Sequence, residues 1–249
     1  MSGAEWRILV AGAGGVVGRR LVPLLVQRGY QVFGTTRSSA RATELEAAGV
    51  SPVVLDAFDR QAVLDAVVSV RPDVLIHQLT DLSGGFEPER RLETLTRNAR
   101  LRTEGTQNLV LAARAAAVRR FIAQSIVWMY AAGPEPHREE DPLDLAAEGT
   151  RAVTVQGVVA LERAVLESPP VEGVVLRYGW LYGPGASAAP AGTPGVHVDA
   201  AAYAAVLAID AGPPGPYNVA EPSPTTSIEK ARRELGWNPA FRLPASVST

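Results

Sequence analysis

The sequence predicts an α/β fold, a doubly wound parallel sheet with a small, truncated appendage at its C-terminal end. Three observations predict it. Short apolar runs alternate with longer stretches of helical period through most of the chain. A cluster of glycines falls between the first apolar run and the first helical stretch. The last part of the chain breaks the alternation with a stretch rich in Gly, Ala and Pro. Strands that alternate with helices lie parallel, because each return to the same edge needs a crossover connection. A length of 249 residues, 47% of them hydrophobic, is enough for a large buried core.

The elements follow in order. Residues 7–11 read as a short buried strand, and the glycines come next. Val17, Leu21, Leu24 and Leu25 then recur at helical spacing. Strands are expected over 31–35, 53–55, 73–77, 121–125 and 174–177. Helices are expected over 40–48, closed by Gly49, and over 61–70 and 150–167. Residues 90–117 read as one long helix, broken or bent near Gly105. Residues 183–195 read as a loop, 198–209 as an Ala-rich helix, and 228–235 as a helix ended by Gly236. The expected division is a main unit over 1–180 and a small region over 181–249, interleaved with it and facing the substrate.

Composition removes several functions. The net charge is −2 with no long basic run, so nucleic acid and anionic membranes are poor partners. No cysteine is present, which excludes disulfides, thiolate metal sites and Cys nucleophiles. His77, His137 and His197 form no His-x-x-x-His pair, so no metal is expected. Glu139, Glu140 and Asp141 are adjacent and cannot all face one ion; they read as a solvated face. No apolar run is long enough to span a bilayer, and the opening residues lack a signal-like core, so a cytoplasmic location is expected.

The glycine loop carries the first functional signal. Gly12, Gly15 and Gly18 follow a strand and open a helix. In a dinucleotide-binding Rossmann unit the first glycine makes the turn and the second lets the backbone approach a pyrophosphate. The third packs helix on strand. Val16 and Val17 lie at the helix N-terminus, where free N–H groups and the dipole favour phosphate. After the second strand comes Thr35-Thr36-Arg37, with no acidic residue to hold a ribose 2′-hydroxyl. Arg37 pairs instead with a 2′-phosphate in this reading, so NADP(H) is favoured over NAD(H).

With these landmarks the chain resembles the extended and atypical short-chain dehydrogenases, the NAD-dependent epimerase/dehydratase group. The resemblance runs from about Arg7 to Pro239. Asp56, with Ala57 beside it, stands where the family has an adenine-contacting Asp, and Gln78-Leu79-Thr80 stands beside the cofactor ribose. Asn98 and Gly105-Thr106-Gln107-Asn108-Leu109 resemble its mid-chain helix signature. Phe121 to Ser125 with Tyr130, and Arg177 through Gly185, resemble its active-site segments. His197-Val198-Asp199, Tyr217-Asn218-Val219 and Leu235 to Pro239 continue the series.

The resemblance breaks at the catalytic pair. The family uses a Tyr-x-x-x-Lys pair to exchange a proton with the substrate oxygen. Counting back from Glu162 puts Thr154 and Val158 in those places, and the chain's one lysine is Lys230. Ile126 stands at the upstream Ser/Thr place, with Ser125 one residue early. Tyr130, Ser125 and Tyr178 are the remaining catalytic candidates. Trp128, Met129, Tyr178 and Trp180 are expected to line an apolar substrate pocket. His77 and His197 read as packed residues rather than bases.

Three readings stay open at this point. The first is an NADP(H)-binding oxidoreductase acting on a small, largely apolar substrate by another relay. The second is non-redox isomerisation, cyclisation or elimination on the same scaffold, and the third a cofactor-binding sensor or scaffold. An enzyme is expected over the third. A nucleotide-sugar is not expected, because the segment 186–196 holds no basic residue to meet a diphosphate. A homodimer is expected, formed through the helices over 90–117 and 150–167, with an apolar face of Val155, Val158, Val159, Glu162 and Val165.

Overall fold

The computed structural model describes residues 6–82, 87–186 and 193–244. Seven parallel strands form the main sheet. In chain order they are β1 (Arg7–Ala11), β2 (Gln31–Thr36), β3 (Ser51–Val54), β4 (Val74–His77), β5 (Arg120–Ile126), β6 (Glu172–Tyr178) and, last, β9 (Gly215–Val219). Two short strands, β7 (Trp180–Tyr182) and β8 (Gly195–His197), pair with each other beside it. The spatial order is β3-β2-β1-β4-β5-β6-β9, so the order reverses at β1. Ligands of such sheets lie at that reversal, outside the C-terminal ends of the strands.

Among the described residues eight α-helices cover the sheet: α1 (Gly18–Gln27), α2 (Ser39–Ala47), α3 (Arg60–Val70), α4 (Pro88–Arg100), α5 (Thr106–Ala115), α6 (Gly149–Leu166), α7 (Val198–Leu207) and α8 (Glu229–Glu234). Strand residues alternate between two cores. Ile8, Val10, Ile76 and Ile122 meet Leu21 and Leu25 of α1 and the alanines of α7. Leu9, Leu75, Phe121 and Val175 meet Val63 and Val67 of α3, Leu109 of α5, and Leu161 and Val165 of α6. Both faces are therefore dry, which is why the strands read as unbroken apolar runs. Burial of this kind stabilises by about 25 cal/mol per Å² of apolar surface.

The long helix over 90–117 is interrupted near Gly105 as expected: α4 and α5 are joined by a π-helical turn at Leu101–Gly105. Two expectations change. The strands β7, β8 and β9 are not called by the periodicity; β9 adds the last strand of the sheet from beyond residue 180. The apolar face assigned to a dimer is largely used inside the subunit. Val155, Val158, Glu162 and Val165 are buried against the chain's own core. No helix of the described residues is long and apolar enough to cross a membrane.

Candidate active site

A cleft of about 1030 Å³ opens along the C-terminal ends of β1, β2, β4 and β5, at the reversal of strand order. One end is built by the glycine loop. Gly12 has φ +95°, and a Cβ there would stand 2.9 Å from the Gln78 carbonyl carbon. A Cβ on Gly18 would stand 2.2 Å from the Gly12 carbonyl oxygen, so only glycine lets α1 close on the loop. Gly12, Gly15, Val16 and Val17 line the cleft, while Gly18 packs behind it.

Beyond β2, Arg37 and Arg41 both border the cleft and are exposed. The Thr36 hydroxyl accepts from the Ser38 N–H at 3.2 Å, which shapes the turn that presents Arg37. Asp56 and Ala57 lie on the opposite wall, and Asp56 also accepts from the Phe58 N–H at 3.0 Å. Gln78, Leu79 and Thr80 continue the wall. The buried Gln78 Oε1 has no hydrogen-bond partner, an acceptor left over for a sugar hydroxyl or an amide N–H. A loop that Gly12 and Gly18 alone allow to close, two arginines beyond β2 and an unmet acceptor at Gln78 fit a nicotinamide dinucleotide.

The other end is closed by the two segments after β5 and β6. Trp128, Met129, Tyr178 and Trp180 all border it, with the Trp128 and Trp180 ring centroids 5.5 Å apart. Met129 is 2% exposed and packs with Val155 and Val158. Thr154 faces the cleft and donates its hydroxyl to the Thr150 carbonyl at 3.3 Å; Val158 is wholly buried.

The three catalytic candidates are not brought together as free acids. The Ser125 hydroxyl donates to Glu162 Oε1 at 2.7 Å. Arg177 grips the same carboxylate with Nε to Oε1 at 3.0 Å and Nη2 to Oε2 at 2.7 Å. Arg177 also donates to the Tyr130 hydroxyl at 2.8 Å, and that hydroxyl donates to Asn218 Oδ1 at 2.6 Å. Tyr130 is 6% exposed, stacks on His137 and does not border the cleft. Arg151 holds the turn that directs it away, donating to the carbonyls of Trp128 and Tyr130 at 3.0 and 3.1 Å. Tyr178 borders the cleft but donates its hydroxyl to the Ala201 carbonyl at 3.1 Å. Burial pushes the Tyr178 phenol well above its ordinary range, and burial also raises Tyr130 against the pull of Arg177. Neither phenol is poised to release a proton near neutral pH.

The histidines are structural in geometry. His77 is wholly buried, with Nε2 3.0 Å from the Thr106 hydroxyl and Nδ1 accepting from the Leu79 N–H at 3.2 Å. Burial, with Arg102 nearby, lowers its pKa to about 4. His197 Nδ1 accepts from the Asp199 N–H at 3.2 Å and caps α7. The acidic run at 139–141 is not a uniformly solvated face. Glu139 is buried, accepts from the Asn218 N–H at 2.8 Å, and has its pKa raised by burial. Asn98 is buried as well and accepts from the Asp81 N–H at 2.9 Å. Residues 187–192, most of the loop that argued against a nucleotide-sugar, lie outside the described residues.

Sequence reasoning missed Arg102 and Arg41. Arg102 borders the cleft from the π-helical turn and is 7% exposed. Nothing in its neighbours Leu101 and Thr103 marks it, since Arg100, two residues earlier, is an ordinary exposed arginine paired with Glu104.

The comparisons with known proteins agree with this architecture. The model of the NAD dependent epimerase/dehydratase family matches residues 8–206. A Streptomyces protein called 3-diazoavenalumate denitrifying reductase is 42% identical over 267 residues, covering 97% of this chain and 86% of its own. The dTDP-4-dehydrorhamnose reductase of Streptomyces griseus is 31% identical over 179 residues, and the match spans 51% of its length. Among solved structures, UDP-glucose 4-epimerase from Thermotoga maritima, with UDP-glucose, superposes with a TM-score of 0.76 at 18% identity, covering 95% of this chain and 94% of that one. The Bordetella bronchiseptica enzyme WbmG, in complex with NAD, gives 0.75 at 18%, covering 99% and 93%. At that identity the structures speak for the fold alone. The reductases among the relatives support an NAD(P)-dependent oxidoreductase, and the chain belongs to the NAD dependent epimerase/dehydratase family.

Proposed function

We propose that this chain is an NADP(H)-dependent reductase of a small aromatic acceptor, and that the acceptor belongs to the diazo class. One observation carries the reading. Aromatic rings line the chemical end of the cleft, and its candidate proton donors, Ser125 and Tyr178, are already bonded inside the protein.

Bound in the cleft, the reduced nicotinamide supplies a hydride. A carbonyl that takes a hydride also needs a proton, which the family's Tyr-x-x-x-Lys pair delivers. An aryl diazonium does not: one hydride at the ring carbon replaces dinitrogen, and the cation becomes a neutral arene with atoms and charge balanced. An acceptor of this kind makes a Tyr-Lys relay unnecessary. The 42% identical Streptomyces relative, named as a denitrifying reductase of a diazo compound, supports the same chemistry here.

This chain's residues then bind, orient and exclude water. Gly12, Gly15, Val16 and Val17, which line the cleft, would hold the pyrophosphate, and Arg37 with Arg41 would meet the 2′-phosphate. Gln78 Oε1 would accept from the bound cofactor, and the Trp128–Trp180 pair would offer one aromatic surface against which the ring of the substrate packs.

The test is anaerobic oxidation of NADPH by the purified protein with 4-carboxybenzenediazonium, cinnamaldehyde and UDP-glucose in turn, each against a protein-free control. Enzyme-dependent NADPH loss with stoichiometric dinitrogen release is expected for the diazonium alone. Turnover of the aldehyde or the sugar nucleotide without the diazonium, or tighter binding of NADH than NADPH, overturns the reading.

A further inference from the structure

We infer that Arg102 is the anion-binding residue at the chemical end of the cleft and holds a carboxylate of the substrate. The inference rests on the reductase reading for the reaction, but concerns binding alone.

Three features of the molecule carry it. The first is an unpaired buried charge. Arg102 is 7% exposed and borders the cleft, yet among the described residues its side chain makes no hydrogen bond and no ion pair. Burial lowers its pKa only to about 10, so the guanidinium stays charged at neutral pH. Burying a charge is costly unless a partner offsets it.

The second is the charge balance around it. The carboxylate near enough to influence Arg102 is Glu162. Both oxygens of Glu162 are occupied already, by the bidentate grip of Arg177 and by Ser125. His77, the other titratable group in its field, is held neutral by burial. Two guanidinium groups thus share one carboxylate, and the surplus positive charge borders the cleft.

The third is the backbone. Arg102 sits on a π-helical turn between α4 and α5, a feature that recurs at functional sites because the extra residue re-aims side chains. The planar guanidinium presents parallel N–H groups that match a carboxylate. Phosphate is a poorer match to the location. The glycine cradle and Arg37 and Arg41 lie in the part of the cleft that serves phosphates, and Ser125, Ile126, Trp128 and Tyr178 line the part next to β5 and β6. An aromatic body with a single carboxylate is the ligand that Trp128, Trp180 and Arg102 fit together.

Calorimetry on the NADP⁺-saturated protein tests this with trans-cinnamate and its neutral isostere cinnamamide. The wild type is expected to bind cinnamate at least about tenfold tighter than the amide. Arg102→Met should erase that preference, Arg102→Lys should keep part of it, and NADP⁺ affinity should be unchanged in both. Thermal unfolding of Arg102→Met without ligands should be equal to or above wild type, since an uncompensated charge is removed. The inference is overturned if the wild type shows no preference, if Arg102→Met keeps it, or if Arg102→Met loses NADP⁺ affinity or unfolds while Arg102→Lys does not restore the cinnamate preference. None of these readouts needs turnover, so the reductase reading can fail while this one stands.

Discussion

At the dinucleotide end of the cleft, what a ligand meets is backbone N–H groups and exposed arginines; at the other end it meets Trp128, Met129, Tyr178 and Trp180, and behind them lie polar side chains that hold one another. Gly12, Gly15 and Gly18 leave room by having no Cβ, and Arg37 and Arg41 stand free in solvent. Ser125, Tyr130, Arg177, Glu139, Glu162 and Asn218 instead form one buried network. The first end is a receptor waiting for charge. The second is a finished wall that shapes space and contributes little reactive hydrogen. The proposed hydride transfer to a diazonium fits this contrast, because that reaction needs no proton from the wall.

The largest effect expected from breaking this contrast is at the wall. Glu162→Ala strands Arg177 in a site where the pair is 6% and 6% exposed. Loss of one partner of such a pair costs about 3–5 kcal/mol. Urea unfolding should show it, and a change under about 1 kcal/mol would mean that the network is not holding β5, β6 and α6 together.

The cradle should respond to geometry alone. Gly18→Ala forces a Cβ toward the Gly12 carbonyl and should lose about 1–3 kcal/mol of stability together with NADPH binding. Gly14→Ala has nothing within 4 Å and should change stability by less than about 0.5 kcal/mol. Equal effects of the two in thermal unfolding would contradict the packing role of Gly18. At the exposed edge, Arg37→Ala should weaken NADPH by about 1.5–3 kcal/mol and leave NADH unchanged in a titration.

How much of this was legible in the sequence depends on how local the cause is. The strands β1 to β6 and the glycine loop declare themselves through period and position, because each is set by a few adjacent residues. β9 does not: it opens with Gly215 and Pro216 and reads as a strand only when β6 is beside it. Tyr130 stands next to Trp128 and Met129 in sequence, yet its hydroxyl partners lie 47 and 88 residues away. Those distant partners, Arg177 and Asn218, decide that it faces the wall and not the cleft. Arg102 depends on a one-residue change in helix register, which no spacing of apolar residues announces.

Two smaller effects sharpen the account. His77 has a folded pKa of about 4, below the ordinary 6.5, so the unfolded chain binds a proton first. Its contribution is fully present above pH 6.5 and is lost as pH falls toward 4. His77→Gln should flatten that part of the stability-pH curve; an unchanged slope would show that His77 carries its proton in the fold. Thr154→Val should leave activity within a few fold, because its hydroxyl is spent on the Thr150 carbonyl. A hundredfold loss in kcat would make it a working hydroxyl.

The central claim is that hydride arrives and no proton from the wall is needed. Single-turnover reduction of an aryl diazonium with NADPH deuterated at the transferring position, run in ordinary water, tests it directly. The account predicts an arene carrying the cofactor's deuterium at the former diazo carbon, at a rate of chemistry that is flat across neutral pH. An arene that carries hydrogen from solvent at that carbon, or a rate that follows the titration of a side chain, would contradict it.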